Sequence, residues 1–150
     1  MEEFYTKSKA ETGIKLPLYR PDGTKSDHWL LIKGIDSITF QKEDFKARRQ
    51  RSNIEIQANA IKDPAEKENF LFEQIQEQEV GIIAALVADW SFDKGEDFDP
   101  EAKPNFVFNK KNVREFLKNA PQIREQINQF SARRSLFFGN GSGSSSDSQE

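Results

Sequence analysis

DPAEKENFLFEQIQEQEVGIIAALVADW, residues 63–90, decides the fold class. Asp63 can accept a hydrogen bond at a helix N-cap. Pro64 suits the first helical position, where its missing N–H costs nothing. Phe72, Ile75, Ile82, Leu86 and Trp90 then recur near helical spacing, and Leu71 widens the stripe beside Phe72. From Val80 to Val87 the segment is apolar almost all round. The pattern predicts one helix over residues 64–90, with its second half as the core helix of the domain.

Helical signals continue on both sides. Upstream, Asp36 or Ser37 can cap a helix over residues 37–61. Its middle, KEDFKARRQRSN, is strongly polar, and Ile54, Ala58 and Ile61 give only a narrow apolar stripe. Downstream, Asn109 can cap a short helix over 110–119 with Val113, Phe116 and Leu117 on one face. Pro121 interrupts it. A last helix over 122–138 carries Ile123, Ile127, Phe130, Arg134 and Phe137 at spacings of 4, 3, 4 and 3, and Gly139 stops it.

The N-terminal part reads differently. Residues 1–13 look like a flexible start. In residues 15–33, Asp22-Gly23 after Pro21 is a turn signal, flanked by Leu16, Leu18 and Tyr19 before it and by Trp29 to Ile32 after it. This predicts a β-hairpin, with Pro17 marking an edge strand. An isolated hairpin is barely stable, so it must pack on helices or join a partner's sheet. The expectation is a mainly α protein. A small N-terminal hairpin precedes a bundle of about four helices in one domain, residues 14–138, and residues 139–150, GNGSGSSSDSQE, form a disordered tail.

Composition limits the chemistry. The 150 residues are 35% hydrophobic and 31% charged, with a formal net charge of −3. That balance gives no general affinity for nucleic acid or an anionic membrane. There is no Cys, so disulfides, thiolate catalysis and Cys-ligated zinc are excluded. The opening MEEFYTKSKAE lacks the apolar stretch of a signal peptide. The run VGIIAALVADW is too short for a membrane span. These features predict a cytoplasmic protein.

Three stretches invite a chemical reading. ADWSFDKGEDFDPEAKPNF, residues 88–106, holds six carboxylates, one Trp and three Phe. As a calcium loop beginning at Asp93 it fails, because Gly95 and Phe98 fall where a ligand and the obligatory glycine belong. Asp93, Glu96, Asp97, Asp99 and Glu101 could at most bind a cation weakly. The stronger reading is a connector: Pro100 and Pro104 forbid a continuing helix, the carboxylates keep it wet, and Trp90, Phe92, Phe98 and Phe106 fasten it to the core. His28 is the only histidine. Neither a triad nor a zinc site can be assembled around it, so it reads as a surface residue near a strand end. KARRQR, residues 46–51, is flanked by Glu43, Asp44 and Glu55 and reads as a solvated helix face rather than a phosphate-binding patch. GNGSG follows a helix instead of opening one, which excludes a dinucleotide loop. No catalytic, metal or cofactor-binding residue emerges. The aromatic end of the chain, Phe130, Arg134, Phe137 and Phe138, is the candidate surface for an apolar helix of another chain, against the alternative of ordinary core packing.

The order of these features resembles the small tail assembly chaperones of long-tailed bacteriophages. In that family a Trp closing a helix is followed by a helix of the form F-T-P-E-N-V-x-x-L-L and then P-x-(I/L)-x-x-x-I. The matching positions are Trp90, Phe108, Asn109, Asn112, Val113, Phe116, Leu117, Pro121, Ile123 and Ile127, while Lys110 and Lys111 stand where the pattern has Pro and Glu. The resemblance spans residues 14 to 138 and rests on packing motifs. It implies a non-enzymatic protein of the host cell cytoplasm that binds the long, helical tape measure protein and the tail tube subunits and keeps them soluble. Self-association is compatible with it. It also implies absence from the finished virion, where the alternative is a structural tail or head–tail connector protein. Some members exist in a second form made by a frameshift near the C-terminus, with which the Ser-rich tail is compatible.

Overall fold

The computed structural model describes residues 1–138. Among these residues, five helices and a three-stranded antiparallel sheet make a mainly α fold. A short helix α1 (Lys7–Thr12) leads into β1 (Ile14–Tyr19) and β2 (Lys25–Ile32). Then come α2 (Ile38–Asn59), α3 (Pro64–Ala84), β3 (Val87–Trp90), α4 (Lys110–Asn119) and α5 (Pro121–Ser131). The sheet order is β1-β2-β3. The predicted tail over 139–150 lies outside the described residues.

The local signals account for most boundaries. Gly23 takes a positive φ of 90° in the tight turn between β1 and β2, which a residue with a Cβ resists. Asp22 Oδ1 fixes the same turn by accepting the Thr24 N–H at 2.9 Å. Ser37, rather than Asp36, caps α2 by accepting the Phe40 N–H at 3.2 Å. Asp63 caps α3 at 3.3 Å from the Glu66 nitrogen. Asn109 caps α4 at 2.8 Å from the Asn112 nitrogen.

Four expectations need correction. The helix predicted over 64–90 ends at Ala84. The chain turns at Ala85 and Leu86, and Val87–Trp90 becomes an edge strand opposite Leu30–Ile32. A short, uniformly apolar run has no periodicity that separates helix from strand. The N–H and C=O groups on the free edge of β2 decide the outcome. The helix predicted over 122–138 stops at Ser131, and Arg134–Phe137 forms a 3-10 turn that folds back on the body. Residues 1–13 are not a loose start, because α1 buries Ala10 to 2% exposure. Phe72 and Ile75 do not face the core. They are 66% and 53% exposed, while Val80, Gly81 and Ile83 are the buried residues of α3.

One face of the sheet supplies Leu16, Leu18, Leu30 and Ile32 to the core. These meet Val80, Ile83, Leu86 and Trp90, with Leu117 of α4 and Ile127 of α5 closing over them. Burying each such side chain contributes about 1.5–3 kcal/mol. α2 adds no fully buried member to this core. Its buried residues, Ala47, Ile54 and Ala58, lie along the side that packs on α3. The α2–α3 pair is therefore an antiparallel hairpin, about 33 Å long at 1.5 Å per residue, that is rooted in the core only at its base.

Candidate functional site

The acidic segment after β3 is an ordered connector. Trp90 is buried at its root, and its indole Nε1–H donates to the Phe106 carbonyl at 2.9 Å. The Phe92, Phe108 and Phe116 rings surround it edge-on, with centroids 5.1, 5.6 and 5.9 Å away. Edge-to-face packing suits the aromatic quadrupole. The Asn112 amide donates to the carbonyls of Pro104 and Val107 at 2.9 and 2.8 Å and ties the returning chain to α4. Phe106 packs on Phe92, whereas Phe98 stays outside the cluster, half-buried.

The carboxylates here are used by the protein itself. Lys94 Nζ bridges Asp89 and Asp93 at 2.8 and 2.6 Å. Burial pushes the Asp93 carboxyl up, but the Lys94 ammonium and the Phe108 N–H outweigh it and hold it below its usual range. Asp99 accepts the Glu101 N–H at 3.0 Å. Glu96, Asp97 and Glu101 are exposed. Among the described residues, no group of three or more His, Cys, Asp or Glu side chains is placed to hold a metal ion.

His28 lies within β2, where its ring stacks on Phe92 at 4.5 Å and Nδ1 sits 3.1 Å from Ser91 Oγ. That contact has the outline of a Ser–His pair. However, Ser91 Oγ already accepts the Trp29 N–H at 2.9 Å, and among the described residues no carboxylate orients the imidazole. A Ser–His nucleophile also needs a third group that orients the base. The pair instead pins the start of the connector to β2.

The four residues Phe130, Arg134, Phe137 and Phe138 do come together, around the loop after β2 and α1. The Arg134 guanidinium grips Asp36 through two hydrogen bonds of 2.6 and 3.0 Å, and this holds the Asp36 carboxyl below its usual range. Phe137 is buried against Phe130, with a centroid separation of 6.2 Å. Gly34 permits the approach, since a Cβ there would lie 3.0 Å from Ala10 Cβ and 3.4 Å from the Phe137 ring. Phe138 keeps an exposed edge beneath the Lys9 ammonium, 5.7 Å away. The cluster thus closes the C-terminal turn onto α1 and the loop after β2.

Sequence reasoning passed over a second structural centre. The Lys33 ammonium bonds Glu11, Glu11 Oε2 also accepts the Thr39 hydroxyl at 2.8 Å, and Oε1 accepts the Ile38 N–H at 3.1 Å. These bonds, the Lys33 contact first, hold the Glu11 carboxyl at about 2 against an ordinary 4.5. Glu11 thereby supplements the Ser37 cap at the α2 N-terminus, where the helix dipole favours negative charge. Its partners are 22 to 28 residues away, so no local pattern announces it.

Among the described residues, the surface left without an internal partner is the helical hairpin. On α2, Phe45 and Ile56 are 61% and 67% exposed, and on α3 Phe72 and Ile75 are 66% and 53% exposed. Arg49 lies over the Phe45 ring at 5.8 Å. Within the run 46–51 the bases make local surface pairs, such as Arg48 with Asp44 at 2.6 Å, as expected of a solvated face. Such pairs contribute at most about 1 kcal/mol.

Comparison with protein-family models, with curated proteins and with solved structures found no match. Among the described residues, no helix is long and apolar enough to cross a membrane.

Proposed function

We propose that this chain is a non-enzymatic chaperone of phage tail assembly. It binds the tape measure protein and the tail tube subunits in the host cytoplasm and works without a cofactor. The observation that carries the reading is the row of large apolar side chains left exposed on the α2–α3 hairpin. Phe45, Ile56, Phe72 and Ile75 are each more than half exposed among the described residues, and large apolar side chains gathered on one exposed hairpin mark an interaction surface.

An unassembled amphipathic helix exposes an apolar stripe that drives aggregation. A hairpin carrying its own apolar side chains can cover that stripe helix against helix. The net charge of −3 favours solubility of the pair. Release needs no nucleotide when tube subunits compete for the same stripe.

Co-expression with the tape measure protein tests the proposal. The soluble fraction of that protein is expected to rise with the wild-type chain and to fall back with Phe45→Glu or Phe72→Glu. Equal solubility with and without the wild-type chain would remove the proposal.

A further inference from the structure

The two helices of the hairpin carry different charge on their exposed faces. On α2 the residues Ile38, Lys42, Phe45, Arg49, Ser52 and Ile56 follow one another at three- and four-residue steps, and all are exposed. This stripe holds three apolar residues, two cations and no carboxylate. On α3 the same stepping gives Ala65, Glu68, Phe72, Ile75 and Glu79, again all exposed. That stripe holds three apolar residues and two carboxylates, with no cation; Glu79 also lies 3.7 Å from Arg124 of α5 and keeps an exposed side. Three–four spacing is the geometry by which helices pack side by side.

We infer that the α2 stripe of one copy docks on the α3 stripe of a second copy, so that the protein self-associates through its hairpins. The occupant is a second copy because the chain itself carries the complementary charge pattern. Aligned antiparallel, Lys42 faces Glu79, Phe45 faces Ile75 and Arg49 faces the Phe72 ring. Aligned parallel, Lys42 faces Glu68 and Phe45 faces Phe72. In the antiparallel register each cation meets a carboxylate or an aromatic face and Phe45 meets Ile75; in the parallel register Arg49 falls on Ile75 instead, so the antiparallel register is the favoured one. A like-with-like pairing of α2 on α2 would instead oppose cations.

The two stripes are different patches of one chain, so the contact is heterologous. Each contact leaves an α2 stripe free at one end and an α3 stripe free at the other. The inference does not depend on the chaperone proposal, since it concerns only copies of this chain. A client helix would compete with the second copy for the same surface.

Sedimentation velocity and light scattering of the full chain test it between low micromolar and high micromolar concentration. The weight-average mass is expected to climb above the 17.3 kDa monomer and to fall back on raising salt from 50 mM to 500 mM. The α2 reversal Lys42→Glu/Arg49→Glu is expected to shift the concentration for half-association upward about tenfold or more. The α3 reversal Glu68→Lys/Glu79→Lys is expected to do the same. Mixing the two variants restores association, because each then offers the other a complementary pair. Circular dichroism of each variant confirms that the fold persists. A monomeric mass throughout, association untouched by either reversal, or failure of the mixture to recover would overturn the inference.

Discussion

Glu11→Gln tests whether a remote carboxylate fastens α2 to the body. The amide keeps the shape and can still accept the backbone N–H groups of Ile38 and Thr39, but it loses the charge facing Lys33. A carboxyl lowered from 4.5 to about 2 corresponds to about 3 kcal/mol at 1.36 kcal/mol per pKa unit. The Glu11 side chain is 39% exposed, so solvent screening reduces this to about 1–1.5 kcal/mol. For a chain of this length that shifts the melting temperature by about 3–5 °C. The folded pKa lies below the unfolded one, so the stabilisation is fully present above 4.5 and is lost as pH falls through 2. By linkage, about two-fifths of it remains at pH 3 and about an eighth at pH 2. Thermal unfolding of both proteins followed by circular dichroism should show the full gap at pH 7 and near-coincident curves at pH 2. A gap of equal size at both pH values would refute the electrostatic account, and no gap at pH 7 would refute the role itself.

Three further outcomes are expected. Ile127→Ala, at a fully buried α5 position, should lower unfolding free energy by about 2–5 kcal/mol in urea titration; a loss under 1 kcal/mol would mean that α5 does not close the core. Gly34→Ala places a Cβ against Ala10 and Phe137 and should cost about 1–3 kcal/mol, with amide exchange accelerating in α1 and residues 134–138 before the sheet; uniform acceleration would contradict a local clash. Phe72→Gln should change stability by less than about 0.5 kcal/mol, as for an exposed position away from the core, and a loss above 2 kcal/mol would show that Phe72 is packed after all.

Much of the fold was legible because its signals are local. Asp63-Pro64 and Asn109 mark helix starts, Asp22-Gly23 marks the hairpin turn, and Val113, Phe116 and Leu117 mark one face of α4. Each rests on hydrogen bonds or packing within a few residues. The connector was legible for the same reason, through its prolines and aromatics. The candidate surface was less so. The predicted cluster at Phe130–Phe138 is drawn together, but against α1, which the sequence did not announce. The α2 and α3 stripes were hidden because charged residues interrupt them, and a reading weighted toward apolar continuity passes over Lys42, Arg49, Glu68 and Glu79.

By itself, then, the sequence determined the helical class, the hairpin and the absence of thiol chemistry, because composition, caps and turns act at short range. Only the tertiary structure decided that Val87–Trp90 is a strand, that the last helix breaks at Ser131, and that Phe72 and Ile75 face outward. Those outcomes depend on what lies alongside each segment. β2 offers unpaired backbone groups to an ambiguous apolar run, the Gly34 gap admits Phe137, and none of the described residues reaches far enough along the hairpin to cover Phe72 and Ile75.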